Sequence, residues 1–279
     1  MPRLAVSSWS LRHTLWPTYP GLALTPGDRA PGRTFGPGSL ALLDLPAAAR
    51  AAGIGALDLC HFHVPRTDDA YLRELRDRLA AADARVLTLL VDEGDISAAD
   101  PADRARALAQ LRAWIDIAAR LGARYARVIA GEQTAEADGG AIGRSAEGLA
   151  ALAGYAGARG VGLLTENWRP LAMSPGALLA ILAAAGDAVG LCADFGNYRG
   201  PGKYDALRAI LPRATTIHAH AATAWLRPGG TDEGDLRRCL ALARAAGFAG
   251  PYVLILESHG ADDEWAGIAG MAAIVRDAG

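Results

Sequence analysis

Residues 161–198 read VGLLTENWRPLAMSPGALLAILAAAGDAVGLCADFGNY and contain two short apolar runs, at residues 161–165 and 189–193. Each run has the length and continuous apolar character of a strand that is buried on both faces. The alanine- and leucine-rich stretch between them, near residues 174–186, has the length of a helix and ends at a glycine. This order predicts a β-α-β unit with parallel strands.

The same alternation continues along the whole chain of 279 residues. It predicts strands at residues 4–8, 56–60, 86–91, 125–129, 161–165, 189–193, 215–219 and 252–256, and helices near residues 40–52, 71–83, 101–122, 143–159, 174–186, 203–211, 233–247 and 262–277. Because no shift in composition divides these eight units, they predict an α/β fold with a single (β/α)8 TIM barrel domain over residues 1–279. An open doubly wound sheet would usually show a GxGxxG turn after its first strand, but residues 9–16 read WSLRHTLW.

One irregular segment, at about residues 9–39, interrupts this regularity. It is rich in proline and glycine and far longer than the usual connection of about two to six residues between a strand and its helix. We expect this loop between the first strand and the first helix to act as a lid over a substrate, and an insertion without a role is the alternative.

The composition excludes several classes of protein. Lys and Arg number 28 against 30 Asp and Glu, so the formal charge of −2 offers no net positive field for a nucleic acid. Three cysteines cannot all pair and none lies in a CxxC spacing, which predicts a reduced, cytoplasmic protein. No apolar stretch is long enough for a signal peptide or a membrane span, so we expect no membrane partner.

Polar residues follow the predicted strands at the ends where a barrel of this kind carries its active site. Four of them, Glu166, Asp194, His220 and Glu257, come from consecutive strands, so their side chains can converge. Three carboxylates that close would repel one another unless a cation lay between them. The sequence therefore predicts one divalent metal ion, and these ligand types suit Mn, Mg, Co, Fe or Zn. His218 shares the strand phase of His220, so either could be the imidazole ligand.

Other polar and aromatic residues near the strand ends are candidates for contacting a substrate. Histidines and aromatic rings commonly wall a sugar-sized pocket, although burial alone also explains many of them. The substrate-binding candidates are Trp9, His61, His63, Trp168, Asn197, His218 and Arg227.

Six segments together resemble the xylose isomerase-like TIM-barrel superfamily, the sugar phosphate isomerase/epimerase family. They are GIGALDLCHFH, ARLGARYARVIAGE, GLLTENW, GLCADFGNY, TIHAHAAT and LILESHG, and they cover the chain in order. The superfamily includes sugar isomerases and epimerases, inosose dehydratases and DNA-repair enzymes of the endonuclease IV type. The resemblance implies that Glu166, Asp194, His220 and Glu257 hold a metal, with Glu166 and Glu257 doubling as the catalytic acid and base.

The chain departs from the family pattern at three positions. Asn197 stands where family members often have a histidine, and Thr223 where many have an aspartate. Leu226 occupies the place of an arginine in the epimerase branch, with Arg227 one step later. These departures leave the predicted metal ligands intact and leave the substrate open.

Taken together, the residues and the resemblance predict a metal-dependent isomerase or epimerase. It would act on a small sugar or sugar-like ketone through an ene-diolate formed by glutamate proton transfer. An inosose-type dehydratase on the same site is the main alternative, and an endonuclease or a non-catalytic binding barrel is less favoured. The expected partners are a small-molecule sugar or polyol substrate and, in a homo-oligomer, a second copy of the chain.

Overall fold

The computed structural model of the chain describes residues 3–15, 17–20, 27–36, 38–222, 231–259 and 263–278. Eight parallel strands close into a barrel in the order in which they occur in the sequence. The first strand pairs with both the second and the eighth, which closes the ring. The strands are β1 (Leu4–Ser7), β2 (Ala56–Cys60), β3 (Arg85–Val91), β4 (Tyr125–Val128), β5 (Gly162–Glu166), β6 (Val189–Asp194), β7 (Ala214–Ala222) and β8 (Tyr252–Glu257). The predicted (β/α)8 barrel is confirmed.

A helix follows each strand and packs on the outside of the barrel. The helices are α1 (Leu45–Ala51), α2 (Asp69–Ala81), α3 (Pro101–Arg120), α4 (Ala141–Gly157), α5 (Pro175–Ala185), α6 (Lys203–Ile210), α7 (Thr231–Ala245) and α8 (Glu264–Ala278). The largest difference from the sequence prediction is at the first helix, which begins five residues later because Leu42–Asp44 form a 3-10 turn. None of the described helices combines the length and the apolar character that crossing a membrane requires.

Local signals in the sequence set the helix ends. The Asp100 side chain accepts hydrogen bonds from the first backbone N–H groups of α3, and Pro101 occupies its first turn, where no donor is lost. After the helix, Gly122 adopts a φ of 68°, a left-handed conformation that glycine adopts at little cost. The Ser174 side chain caps α5 in the same way as Asp100 caps α3.

The core has two parts. The larger apolar cluster lies between the barrel and its helices and includes buried residues from all eight strands. A smaller cluster fills the inside of the barrel, where alternate side chains of four strands meet: Ala5, Ala56, Leu87, Val253 and Ile255. Because Ile255 also lines the cavity above it, the inner cluster forms the floor of that cavity.

The long segment after β1 lies against the loop that follows β2. The Tyr19 backbone N–H donates to the Phe62 carbonyl at 2.6 Å. The buried Arg29 guanidinium donates to the carbonyls of His61 at 2.6 Å and Val64 at 2.9 Å. Residues 16, 21–26 and 37 of the predicted lid lie outside the described residues, so the lid stays a prediction.

Candidate active site

A cavity of about 310 Å³ opens at the carboxyl ends of the strands. Its lining contains the four predicted metal ligands and four of the predicted substrate contacts. The lining residues are Ser7, Trp9, Cys60, Phe62, Leu90, Asp92, Arg127, Glu166, Trp168, Asp194, Asn197, His218, His220, Ile255 and Glu257. The strand ends that sequence reasoning singled out therefore meet in one place.

Carboxylates and imidazoles alternate in an unbroken series across this cavity. His218 Nδ1 lies 3.6 Å from Glu166 Oε1 and 3.5 Å from Asp194 Oδ2. His220 Nδ1 lies 2.9 Å from Asp194 Oδ1, and its Nε2 lies 3.3 Å from Glu257 Oε1. Asp194 is thus at the centre, with one histidine and one glutamate on either side.

The loop after β6 fixes the central carboxylate. Oδ1 of Asp194 accepts hydrogen bonds from the backbone N–H groups of Gly196 at 2.7 Å and Asn197 at 2.8 Å. Burial alone would raise the pKa of Asp194, but the adjoining histidines, His220 first, hold it well below its usual range. The same ion pair shifts the pKa of His220. Burial would lower this pKa, but the charge and the hydrogen bond of Asp194 have the larger effect and raise it to about 10.

Glu257 is held by the 3-10 turn that follows the first strand of the barrel. The Trp9 indole N–H donates to its Oε1 at 2.9 Å, and Arg12 Nη2 lies 3.3 Å from its Oε2. Burial would raise the pKa of Glu257, but hydrogen bonds from His220 and Trp9 lower it to about 2. This carboxylate is 36% exposed, so it has access to the cavity.

Glu166 is more deeply buried, with 5% of its side chain exposed. The Asn197 side-chain amide donates to its Oε1 at 3.0 Å. Arg127 Nε lies 2.9 Å from its Oε2 as an ion pair. The same guanidinium donates through Nη1 to Asp92 Oδ1 at 2.6 Å, so one cation bridges two carboxylates.

His218 has a further partner below the cavity. Its Nε2 lies 3.2 Å from Oδ2 of Asp58, a fully buried residue of β2. Burial would lower the pKa of the His218 imidazole, but its acidic neighbours, Cys192 and Glu166 first, raise it well above its usual value. Asp58 therefore fixes the ring that contacts Glu166 and Asp194.

Sequence reasoning missed Arg12, Asp58, Asp92 and Arg127. Two of them carry a signal that could have been found, because Asp58 and Arg127 each place a charge within an apolar strand run. A charged side chain is almost never fully buried without a partner. The partner of Asp58 is His218, and the partners of Arg127 are Asp92 and Glu166. Because these partners are distant in the sequence, the strand pattern could indicate that an ion pair forms but could not identify the second residue.

The structure places two predicted substrate contacts, His61 and His63, outside this cavity. His61 does not line the cavity, because its Nε2 pairs with Glu93 Oε1 at 3.1 Å and its ring packs on Trp114. His63 lines a separate cavity of about 170 Å³ and bonds to Ser8 Oγ at 2.9 Å. Phe62, between them, turns into the main cavity instead. Arg227 lies outside the described residues.

The donor set of this cavity fits a divalent cation. Three carboxylates and two imidazoles lie in one continuous series, and oxygen with imidazole nitrogen suits Mn²⁺, Mg²⁺, Co²⁺, Fe²⁺ or Zn²⁺. One group of possible ligand atoms, on Glu166, Cys192 and His218, falls within 4.8 Å of one another. Burial raises the pKa of the Cys192 thiol, so the carboxylates and imidazoles are the better ligands in this series.

Fold and site together define a closed (β/α)8 barrel with a carboxylate and imidazole centre at the carboxyl ends of its strands. The model of the xylose isomerase-like TIM barrel family matches residues 46–274, so the chain belongs to that family. No curated protein is similar enough in sequence to count as a relative.

Solved structures share this fold at low sequence identity. An L-ribulose 3-epimerase is 20% identical with a TM-score of 0.73, covering 100% of this chain and 96% of its own. A D-allulose 3-epimerase from Methylomonas sp. is 15% identical with a TM-score of 0.70, covering 100% and 99%. A xylose isomerase-like TIM barrel protein from Mycobacterium smegmatis, in complex with magnesium, is 19% identical with a TM-score of 0.68, covering 100% and 97%.

Proposed function

We propose that this protein is a divalent-metal-dependent sugar isomerase or epimerase. The observation that carries the proposal is the series Glu166, His218, Asp194, His220 and Glu257, which crosses one cavity of the size of a small sugar. Similar barrels that are named as ketose 3-epimerases support the substrate class.

Glu166, Asp194, His220 and Glu257 would hold the cation. When bound, it would polarise a substrate carbonyl and its neighbouring hydroxyl and stabilise the negative charge that develops as a proton leaves the α-carbon. Asp194 suits the role of a permanent ligand, because two backbone N–H groups and His220 keep it ionised and fixed.

The two glutamates suit proton transfer. Glu166 ends β5 and Glu257 ends β8, so they reach the cavity from strands that are three positions apart around the barrel. One carboxylate can therefore remove the α-proton on one face of the substrate while the other returns a proton on the opposite face, which inverts that carbon. This arrangement favours epimerisation over transfer of the carbonyl along the chain.

A dehydratase acting on a keto-inositol or similar cyclitol is the second candidate. It needs the same removal of an α-proton and then an acid that protonates a departing hydroxyl. The His218 imidazole, in the cavity and with a raised pKa, is available as that acid. Loss of water consumes the substrate irreversibly, whereas epimerisation reaches an equilibrium.

The proposal is tested by elemental analysis of the purified protein and a panel of substrates. The panel contains L-ribulose, D-allulose, D-tagatose, the matching aldoses and an inosose, each incubated with Mn²⁺ and with EDTA. We expect a bound divalent metal and interconversion of a pair of ketose epimers that EDTA abolishes. Dehydration of the inosose alone would select the second candidate, and turnover unaffected by EDTA would overturn the metal dependence.

A further inference from the structure

The two glutamates of the cavity are held by the same kind of partners. Oε1 of Glu166 accepts from the Asn197 amide at 3.0 Å and lies 3.6 Å from the His218 imidazole, while Oε2 pairs with Arg127 at 2.9 Å. Its two oxygens are therefore not equivalent. Oε1 faces His218, on the side of the cavity where Asp194 lies, and Oε2 contacts the arginine.

Glu257 repeats this division. Its Oε1 accepts from the Trp9 indole at 2.9 Å and lies 3.3 Å from the His220 imidazole, while Oε2 lies 3.3 Å from Arg12 Nη2. Each glutamate thus has an N–H donor and an imidazole at Oε1 and a guanidinium at Oε2. Asp194, which contacts both histidines, stands between the two halves.

Both arginines are also fixed by groups other than the two glutamates. Arg127 is 3% exposed on β4, and its Nη1 donates to Asp92 and to the Val91 carbonyl at 3.2 Å. Arg12 is 5% exposed and donates to the carbonyls of Leu256, at 3.0 Å, and Ser258. The Arg127 contact with Glu166 is an ion pair without the geometry of a hydrogen bond. A planar guanidinium that is anchored through its other N–H groups keeps its positive charge beside one carboxylate oxygen, and so holds that carboxylate in one orientation.

We propose that Arg127 and Arg12 are a matched pair of positioning residues, each holding Oε2 of one glutamate so that only Oε1 serves the cation or takes the proton. This inference rests on the proposed function for its catalytic part. Without its arginine a carboxylate could rotate and offer both oxygens to the cation, and a carboxylate bound through both is a poorer base.

The test uses Arg127→Lys and Arg12→Lys, which keep the positive charge and lose the fork. Arg169→Lys is the matched control, because Arg169 packs on Trp168 at 4.2 Å near the cavity but contacts neither glutamate. We expect kcat to fall about 10- to 100-fold in the first two variants, the loss that a small misplacement of a catalytic group produces. KM should change by less than about threefold, since neither arginine is assigned to hold the substrate.

The isotope effect separates positioning from a general structural defect. Each epimer of the active ketose pair is prepared with deuterium on the carbon that inverts, because one glutamate removes the proton from one epimer and the other glutamate from its partner. Arg127→Lys should raise the isotope effect on kcat for one epimer, and Arg12→Lys should raise it for the other. A rise with the same epimer in both variants, or with neither, would overturn the proposal.

Crystal structures with Mn²⁺ supply a readout that does not depend on turnover. The wild type should keep each Oε2 on its arginine, and each lysine variant should show only its own glutamate turned. If no ketose reacts but this pattern holds, the proposed function fails and the positioning role stands. If Oε2 of either glutamate binds Mn²⁺ in the wild type, the positioning role fails.

If Arg127→Lys folds poorly, the double variant Arg127→Met with Asp92→Asn replaces it. This variant removes the negative charge of Asp92 together with the positive charge of Arg127, so neither is left buried without the other.

Discussion

Asp194 links the two halves of the site at the scale of single residues. Both histidines contact it, and two backbone N–H groups fix its Oδ1. Its environment keeps it ionised, whereas Glu257 is partly exposed and open to the cavity. Metal binding and proton transfer should therefore respond to different substitutions.

The first prediction separates those two roles. Asp194→Asn and His220→Ala should each weaken Mn²⁺ binding by at least about 10- to 100-fold, a loss that even an outer partner of a ligand can cause. Activity should partly recover when Mn²⁺ exceeds the new dissociation constant, measured by calorimetry. Glu166→Gln and Glu257→Gln should lose about 10²- to 10⁴-fold in kcat with no rescue, because an amide cannot take the α-proton. Full rescue of both glutamine variants by Mn²⁺ would show that the glutamates are ligands only.

A second prediction concerns His63, which lies beside the cavity without lining it. Burial, helped by His61, lowers the pKa of the His63 imidazole to about 3. The unfolded chain, with a histidine pKa of about 6.5, therefore binds this proton more readily than the folded protein. The contribution of His63 to the free energy of unfolding is therefore unchanged above about pH 6.5. It falls by about 1.4 kcal/mol per pH unit as the pH drops from about 6.5 towards 3.

Replacing this histidine should remove that loss. His63→Asn keeps a group able to bond to Ser8 and does not titrate, so its free energy of unfolding should fall less with acid than that of the wild type. The free energy of unfolding of each metal-free protein is measured with urea at about pH 7.5 and at about pH 5. The loss between these two pH values should be about 2 kcal/mol larger for the wild type than for His63→Asn. His259→Asn, at an exposed position, is the control. Parallel acid dependence of His63→Asn and wild type would refute the assignment.

At the scale of elements, the loop after β6 determines where the His220 ring can lie. Gly196 packs so closely on this ring that an added Cβ would overlap it, although its backbone conformation is open to other residues. Gly202, further along the same loop, has no atom within 4 Å of its added Cβ position. The two glycines are thus a matched pair, because one packs against the proposed ligand His220 and the other packs against nothing.

The third prediction follows from that contact. Gly196→Ala should displace the His220 ring, weaken Mn²⁺ binding and reduce kcat about 10-fold or more, while the fold loses about 1–3 kcal/mol to overpacking. Gly202→Ala should leave all three quantities close to wild type. Calorimetry with Mn²⁺, steady-state kinetics and thermal unfolding measure them. Equal metal affinity in the two alanine variants would show that the contact with Gly196 does not position His220.

The strands that carry the site could be predicted from the sequence. Apolar runs ending in Glu166, Asp194 and Glu257 predicted strands whose observed ends differ by a residue or so, because buried strands have a simple pattern. Turn formation was harder to predict. His61–His63 form a 3-10 turn that points Phe62 into the cavity and both histidines away from it, and no periodic pattern signals such a turn.

At the scale of the whole molecule, closure of the barrel completes the site. Trp9 and Glu257 are 248 positions apart in the sequence, yet they share a hydrogen bond because β1 pairs with β8. Arg127 reaches Glu166 and Asp92 in the same way, across neighbouring strands. These partners could not be predicted from local pattern, since they depend on the register of strands around a closed ring. The convergence of Glu166, Asp194, His220 and Glu257 on one cavity could be predicted, because consecutive strands bring their ends together.

In the proposed function, this barrel moves a proton at the α-carbon of a sugar ketone with the help of a bound metal. The most direct measurement is deuterium incorporation into the ketose panel from D₂O, followed by mass spectrometry and NMR, in the presence of Mn²⁺ or of EDTA. We expect one deuterium on the carbon next to the carbonyl with Mn²⁺, none with EDTA, and none with Glu166→Gln combined with Glu257→Gln. Interconversion of epimers without any uptake of solvent deuterium, or uptake that persists in the double variant, would contradict it.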